Sequence, residues 1–223
     1  MIIDCIADLH GFYHELEGGD LLIVAGDLTR RDTEEEYRAF NAWLKLQPYI
    51  EKIIIGGNHD NLLYEKYNGQ RIDHHLLPSV RYLQDSGTEF ESLKIWGTPW
   101  TKTFEGMNPH CKAFTLDTEE ELAKKWKLIP DDIDILITHS PPYGIGDMID
   151  DQYHCGNYHV GSKSLTSRLR KETKIRLHVF GHIHEGYCHE NLKRPDGSQI
   201  DVINASHVNE YYEPVNKPRR VIL

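Results

Sequence analysis

Hydrophobic positions along the chain gather in short runs separated by longer stretches of helical spacing. Residues 2–8 (IIDCIAD), 21–27 (LLIVAGD) and 52–58 (KIIIGGN) read as buried strands, because β-branched residues crowd a short run that closes on Gly, Asp or Asn. Residues 133–140 (IDILITHS) and 176–182 (RLHVFGH) read the same way. Between the second and third runs, TEEEYRAFNAWLKLQ (33–47) puts Tyr37, Phe40, Trp43 and Leu44 at helical spacing and opens on Thr33 and Glu36, a capping box. DTEEELAKKWKLIP (117–130) predicts a second helix with Pro130 marking its end, and GSKSLTSRLRKET (161–173) a third with Ser162 as N-cap. Strands alternating with helices predict an α/β layered core. Residues 78–100 break this rhythm: two alternating runs joined at Ser86–Gly87 predict a hairpin or meander. A turn at RPDGSQ divides strand-like runs in 187–223, so the sheet is expected to be mixed.

The polar residues sit where the apolar runs stop. Asp8 and His10 follow the first, Gly26–Asp27 the second, Gly57–Asn58–His59–Asp60 the third, His139 the fourth, and Gly181, His182 and His184 the fifth. Functional groups of α/β sheets collect at the carboxyl ends of strands, so five such endings predict one shared site. Carboxylate, carboxamide and imidazole donors without a thiolate suit Mn, Fe or Zn. Two carboxylates and four imidazoles exceed the needs of one tetrahedral zinc. A two-metal centre, with ions roughly 3.5–4 Å apart, uses them better, with Asp27 as bridge. Two divalent cations against two carboxylates and a hydroxide leave the site positive and suited to a phosphate. His59 adds one imidazole more than the metals require and is the natural general acid for a leaving oxygen. Asp60, next to it, is a candidate to orient it. His182 and His184 lie two apart, and in an extended segment such residues point to the same face.

Composition narrows the class. The 223 residues can bury a large core, and 39% hydrophobic with 27% charged residues is ordinary for a globular protein. The net charge of −10, with no basic block, argues against a broad duplex-DNA surface. No apolar run approaches the ~18 residues of a membrane span. The start, MIIDCIADLHG, has no basic n-region and is interrupted by Asp4, unlike a secretory signal. Cys5, Cys111, Cys155 and Cys188 are widely spread and form no CxxC pair, as expected of reduced thiols in a cytoplasmic protein. The 14 histidines are the oddity. The expected partner is a small phosphoester or nucleotide substrate, with no membrane, and the oligomeric state stays open.

Singly, D-x-H, GD and H-x-H are weak signals; GNHD is stronger, and the full ordered series is specific. D-x-H (8–10), GD (26–27), GNHD (57–60), the His of THSPP (138–142) and GHIH (181–184) resemble the calcineurin-like metallophosphoesterase superfamily. The resemblance implies a four-layer αββα sandwich with two mixed β-sheets, as a single domain over 1–223. It implies a first metal held by Asp8, His10, Asp27 and His184, and a second by Asp27, Asn58, His139 and His182. It further implies that His59 acts on the leaving group. THSPP, HVFGHIHEGY and INAS (203–206) are similar to the small metallophosphoesterase-domain proteins related to class III cyclic nucleotide phosphodiesterases. Where serine/threonine protein phosphatases continue GD with V-D-R-G, this chain has GDLTRRD, which points away from that activity.

The expected function is a two-metal-dependent phosphoesterase, with manganese the first choice of cofactor and iron or zinc the alternatives. It would hydrolyse small phosphodiesters or nucleotide phosphoesters by metal-hydroxide attack, with His59 protonating the leaving alkoxide. The alternatives are a nuclease for short or single-stranded nucleic acid and a catalytically silent nucleotide-binding scaffold. DDQYHCGNYHVGS (150–162) leads into a helix N-terminus, where N–H groups favour anions, so Asn157, His159 and Ser162 are candidate substrate contacts. Loop polarity and helix capping explain the same residues. His207 is a further candidate. His178 reads as packing in the core or behind the candidate ligands, and His74, His75 and His110 as solvated. Tyr211 and Tyr212 could stack on a base, although buried packing is the default.

Overall fold

The structure is a computed structural model and describes residues 1–67, 76–103, 110–151, 156–171 and 173–223. In chain order the strands are β1 (Ile2–Ile6), β2 (Gly19–Ala25), β3 (Tyr49–Ile55), β4 (Arg81–Tyr82), β5 (Ser86–Phe90), β6 (Leu93–Thr98), β7 (Thr101–Lys102), β8 (Thr115–Leu116), β9 (Ile135–Thr138), β10 (Met148–Asp151), β11 (Gly156–His159), β12 (Leu177–Phe180), β13 (Cys188–Lys193), β14 (Gln199–Asn204) and β15 (Arg219–Ile222). The helices are α1 (Glu34–Leu46), α2 (Asn61–Tyr67), α3 (Glu119–Trp126) and α4 (Lys163–Leu169).

One sheet runs β15-β1-β2-β3-β4, parallel except for β15. The other runs β13-β14-β12-β9-β6-β5, with a parallel centre and an antiparallel pair at each edge. The period-two alternation of side chains sorts each strand between two layers. Ile3, Cys5, Leu21, Ile23, Ile53 and Ile55 of the first sheet face Ile95, Ile135, Ile137, Leu177, Val179 and Ile203 of the second. The intervening Ile6, Leu22, Val24 and Ile54 turn outward to α1, whose Tyr37, Phe40, Trp43 and Leu44 cover them. On the opposite side Leu136, Phe180 and Val202 pack with Leu122, Trp126, Leu165 and Leu169 of α3 and α4. The result is the four-layer sandwich with two mixed sheets.

Several boundaries differ from the pattern reading. The first two strands stop short of Asp8 and Asp27, because both residues hold left-handed backbone that leaves the ladder. The Thr33 hydroxyl caps α1 by accepting from Glu36 N, but the Glu36 carboxylate accepts from Arg31 N instead of completing a box. The full capping box belongs to α3, between Thr118 and Glu121. That helix ends at Trp126, before Pro130. Ser86–Gly87 is not the hairpin turn: it starts β5, opposite Trp96 and Gly97, and the chain reverses between β5 and β6 where Glu91 takes φ 52°.

Candidate metal centre

The carboxyl ends of the parallel strands from both sheets meet at one seam. Backbone closes it: Ala7 N donates to Ala205 O and His207 N to Ala7 O, each at 2.8 Å. Beyond β1 and β2 the chain folds back on itself, with Asp8 N bonded to Gly26 O and His10 N to Asp27 O, both at 3.0 Å. Asp8 (φ 50°), His10 (φ 43°), Asp27 (φ 54°) and His182 (φ 73°) all hold left-handed backbone. Such conformations cost non-glycine residues on the order of 1–3 kcal/mol each and cluster at functional sites. Two glycines make room for the carboxylates. A Cβ on Gly57 would lie 2.2 Å from Asp27 Oδ1, and one on Gly181 2.3 Å from Asp8 Oδ2.

The donors fall on two sides of Asp27. On one side Asp8, His10 and His184 present donor atoms within 4.8 Å of one another. His10 Nε2 is 3.3 Å from His184 Nε2 and 3.8 Å from Asp27 Oδ2, and His184 Nε2 is 3.8 Å from Asp8 Oδ1. On the other side His139 Nε2 is 3.4 Å from Asp27 Oδ2 and 3.0 Å from Asn58 Oδ1, and His182 Nδ1 is 2.9 Å from the same Oδ1. Asp27 therefore faces both groups. His182 and His184 do not share a face. His182 has left-handed backbone and His184 opens a 3-10 turn (His184–Gly186), so the segment is not extended and its two rings diverge.

The donor chemistry fits cations. His139 Nδ1 lies 2.9 Å from Ala25 O and must donate to it. In a neutral imidazole Nε2 then carries the lone pair and faces two further acceptors, Asn58 Oδ1 and Asp27 Oδ2. A cation at this point, or an extra proton on Nε2, reconciles that convergence. Such a bond from the outer ring nitrogen to a carbonyl is also what orients a metal-binding histidine. Without a cation, burial works against charging His139, but Asp27, aided by Asp8 and the Ala25 carbonyl, lifts it to about 9. Burial holds His10 down to about 3, and burial together with the charge on His139 holds His182 well below its ordinary value. Burial pushes Asp8 up, whereas His139 and His59 hold Asp27 well below the usual carboxylate range despite its burial.

The surroundings of these donors come from distant segments. Ser206 Oγ donates to Asp8 Oδ2, and His182 N donates to the same carboxylate. Asp60, fully buried, does not support His59. Its carboxylate accepts from Asp27 N, Leu28 N, Gly57 N and Tyr37 Oη at 2.8–3.1 Å, which ties the second and third strand ends together. The contact at His59 Nδ1 is instead Cys111 Sγ, 3.3 Å away, while His59 N donates to Asp27 Oδ1. Burial, with the Asp27 and Asp32 carboxylates adding to it, pushes the Cys111 thiol up to about 11. His59 Nε2 is 3.9 Å from Asp27 Oδ2, and its side chain is 21% exposed where those of Asp27 and His139 are closed off.

The remaining sequence candidates separate. Ser162 is buried as the N-cap of α4, and its hydroxyl faces Leu165 N, Trp126 Nε1 and Glu119 Oε1, so capping rather than substrate contact accounts for it. His159 Nδ1 pairs with the buried Asp147 at 2.6 Å, with the ring beside Tyr143. Asn157 contributes only a described backbone, opposite Asp150, and its side chain, like His74, His75 and Cys155, lies outside the described residues. His207 is buried, bonded to Asn216 O and stacked on His14. His178 is a core residue, with Nε2 2.9 Å from Thr138 Oγ1. Tyr212 departs from the packing default: it is 47% exposed, and its ring stands edge-on to His10 (4.8 Å) and His184 (5.0 Å), walling one side of the centre. Composition carried no sign of that role.

A sandwich of two mixed sheets, with Asp, Asn and His donors converging at one end of its seam, is the architecture of the metallophosphoesterases. The family model for calcineurin-like phosphoesterases matches residues 1–186, and the chain belongs to that family, whose members are generally hydrolases. It is 35% identical to human metallophosphoesterase domain-containing protein 1, over 96% of this chain and 68% of that protein. It is 29% identical to a protein of Arcobacter nitrofigilis named a probable glycerophosphodiester phosphodiesterase, over 74% of this chain and 56% of that one. The crystal structure of TT1561 of Thermus thermophilus superposes with a TM-score of 0.56 over 99% of this chain and 97% of that one, at 16% identity, a likeness of fold. Among the described residues no helix is long and apolar enough to cross a membrane.

Proposed function

We propose that the chain is a two-metal-dependent phosphoesterase acting on small phosphodiesters or nucleotide phosphoesters. The observation that carries this reading is Asp27, whose Oδ2 lies 3.8 Å from His10 Nε2 on one side and 3.4 Å from His139 Nε2 on the other. Asp8, His10 and His184, sharing Asp27, would hold one divalent ion; Asn58, His139 and His182, sharing it again, would hold the second. Manganese, iron and zinc all suit these ligands. When bound, such a pair of ions activates a water and clamps the oxygens of an in-line displacement.

The chain's own residues do the rest. Asp60 fixes the Asp27 and Asn58 turns relative to each other, and Ser206 and His182 N hold Asp8. His59, part-exposed beside the cluster, donates a proton to the oxygen that leaves phosphorus. Tyr212 limits the approach on the His10 side. The likeness to a protein named for phosphodiester hydrolysis supports a diester substrate, and the net charge of −10 favours small substrates over duplex nucleic acid. The test is metal analysis plus hydrolysis of bis(p-nitrophenyl) phosphate, cyclic nucleotides, nucleotide monoesters and short DNA with added manganese. Close to two bound metals per chain and turnover that Asp27→Asn abolishes are expected. Turnover unchanged in Asp27→Asn, or none in the wild type with any of the three metals, overturns the proposal. Preference for the short DNA would turn the reading to a nuclease.

A further inference from the structure

We propose that Cys111 is the positioning residue of His59: its thiol holds Nδ1 and thereby aims Nε2 at the mouth of the donor cluster. This rests on the phosphoesterase reading and identifies what orients its acid. Residues 110–113 are strapped onto the turn that carries Asn58 and His59. Asn61 Nδ2 donates to His110 O at 2.6 Å, Asn58 Nδ2 to Cys111 O at 3.4 Å, and Ala113 N to Asn58 O at 3.2 Å. The one residue therefore serves two neighbours. Its carbonyl takes the amide end of Asn58, which leaves Oδ1 facing His139 and His182, and its side chain seats the His59 ring through the 3.3 Å contact at Nδ1. Cys111 is 6% exposed, so the sulfur side of this part-buried contact is closed off.

The chemistry of the partner matters. The obvious carboxylate, Asp60, is committed to Asp27 N, Leu28 N, Gly57 N and Tyr37, and among the described residues no carboxylate bonds Nδ1 of His59. A thiol is both a weak donor and a weak acceptor, so it can face Nδ1 in either protonation state without holding the ring permanently charged. In the acid step the Nε2 proton of an imidazolium passes to the leaving oxygen as that oxygen's bond to phosphorus breaks and the attacking oxygen bonds phosphorus. The ring is left neutral with its proton on Nδ1, which donates to Sγ, and water re-protonates Nε2 before the next turnover. The thiol itself stays unchanged.

Cys111→Ala and Cys111→Ser in the full chain test this by two routes. In metal-free protein, the ¹⁵N resonance of His59 Nδ1 should move in Cys111→Ala and return toward its wild-type position in Cys111→Ser, whose hydroxyl can take the thiol's place. In metal-loaded protein, an alkyl phosphoester needs its leaving oxygen protonated and a nitrophenyl ester does not. Cys111→Ala should therefore lower kcat at least about tenfold on the alkyl ester and less than about twofold on the nitrophenyl ester, with KM unchanged and Cys111→Ser recovering most of the loss. An unmoved Nδ1 resonance, or equal losses on both esters, overturns the proposal. A wild type that hydrolyses neither ester overturns the phosphoesterase reading instead, and the resonance still decides whether Cys111 holds His59.

Discussion

Asn204 tests whether the seam is held together by hydrogen bonds or by packing alone. It is fully buried at the end of β14, and every polar atom of its carboxamide is engaged. Nδ2 donates to Gly146 O at 2.9 Å and to Ile183 O at 2.8 Å, and Oδ1 accepts from Ser206 N at 3.0 Å. Ser206 Oγ lies 2.8 Å from Oδ1 and 2.5 Å from Asp8 Oδ2; its single proton goes to the closer, charged oxygen. Asn204→Ala removes three bonds, a loss of about 3 kcal/mol at a net ~1 kcal/mol each. Asn204→Asp keeps shape and volume but sets an oxygen against two carbonyl oxygens and buries a charge, so the loss should exceed that of alanine by about 1 kcal/mol or more. The carboxyl introduced by this change has its folded-state pKa raised above the unfolded value. Its penalty is absent at low pH and grows as pH rises through the unfolded value toward the raised one, so the gap between the two variants should narrow from pH 8 to pH 5. Urea unfolding followed by tryptophan fluorescence, in chelator so that bound metal adds nothing, measures this directly. If Asn204→Asp at pH 8 were as stable as wild type, or more stable than Asn204→Ala, the hydrogen-bond account of this strut would be wrong.

Two further outcomes follow from the same geometry. Because His184 faces His10 and Asp8 while His182 faces Asn58 and His139, His184→Ala and His182→Ala should each lose about one metal of the two, read by elemental analysis at limiting metal; loss of both ions in both variants would sink the assignment to separate sides. His178 is fully buried with Nδ1 unpartnered among the described residues, and burial lowers its pKa to about 3. A depressed histidine favours the folded state above its unfolded value near 6.5 and loses that contribution as pH falls toward 3. Between pH 6.5 and pH 4, His178→Leu should therefore lose less stability than wild type, by roughly 3 kcal/mol in urea titrations; equal losses would refute this.

The strands and the convergence of donors at their ends were legible because both signals are local. A run such as LLIVAGD carries its burial in Leu21–Ala25 and its carboxylate donor just after, and the ladder ends where Asp27 turns left-handed. The residues that orient those donors carry no such local mark. Ser206 is separated from Asp8 by nearly the whole chain and meets it only because the chain beyond β1 and β14 pairs at Ala7 and Ser206, and Asn204 reaches Asp8 only through Ser206. Asp60 looked like a partner for His59 by adjacency, but its carboxylate is turned back toward Asp27 N, Leu28 N and Gly57 N, and the contact at the ring came from Cys111, which lies well outside any motif.

The same distinction explains why the paired histidines reach the cluster but not by the geometry expected of them. Period-two spacing places two side chains on one face only while the backbone stays extended. Gly181 lets the chain run flush against Asp8, where His182 N donates to the carboxylate, and this contact pins His182 at φ 73°. From there Ile183 O accepts from Gly186 N and from Asn204 Nδ2, which winds the segment into its 3-10 turn and swings His184 toward His10. A strand continuing through 184 would have sent both rings to one side of Asp27 and left the other side short of a donor. His10 and His139 already flank Asp27, and the turn that breaks the periodicity adds a second imidazole to each side, His184 beside His10 and His182 beside His139.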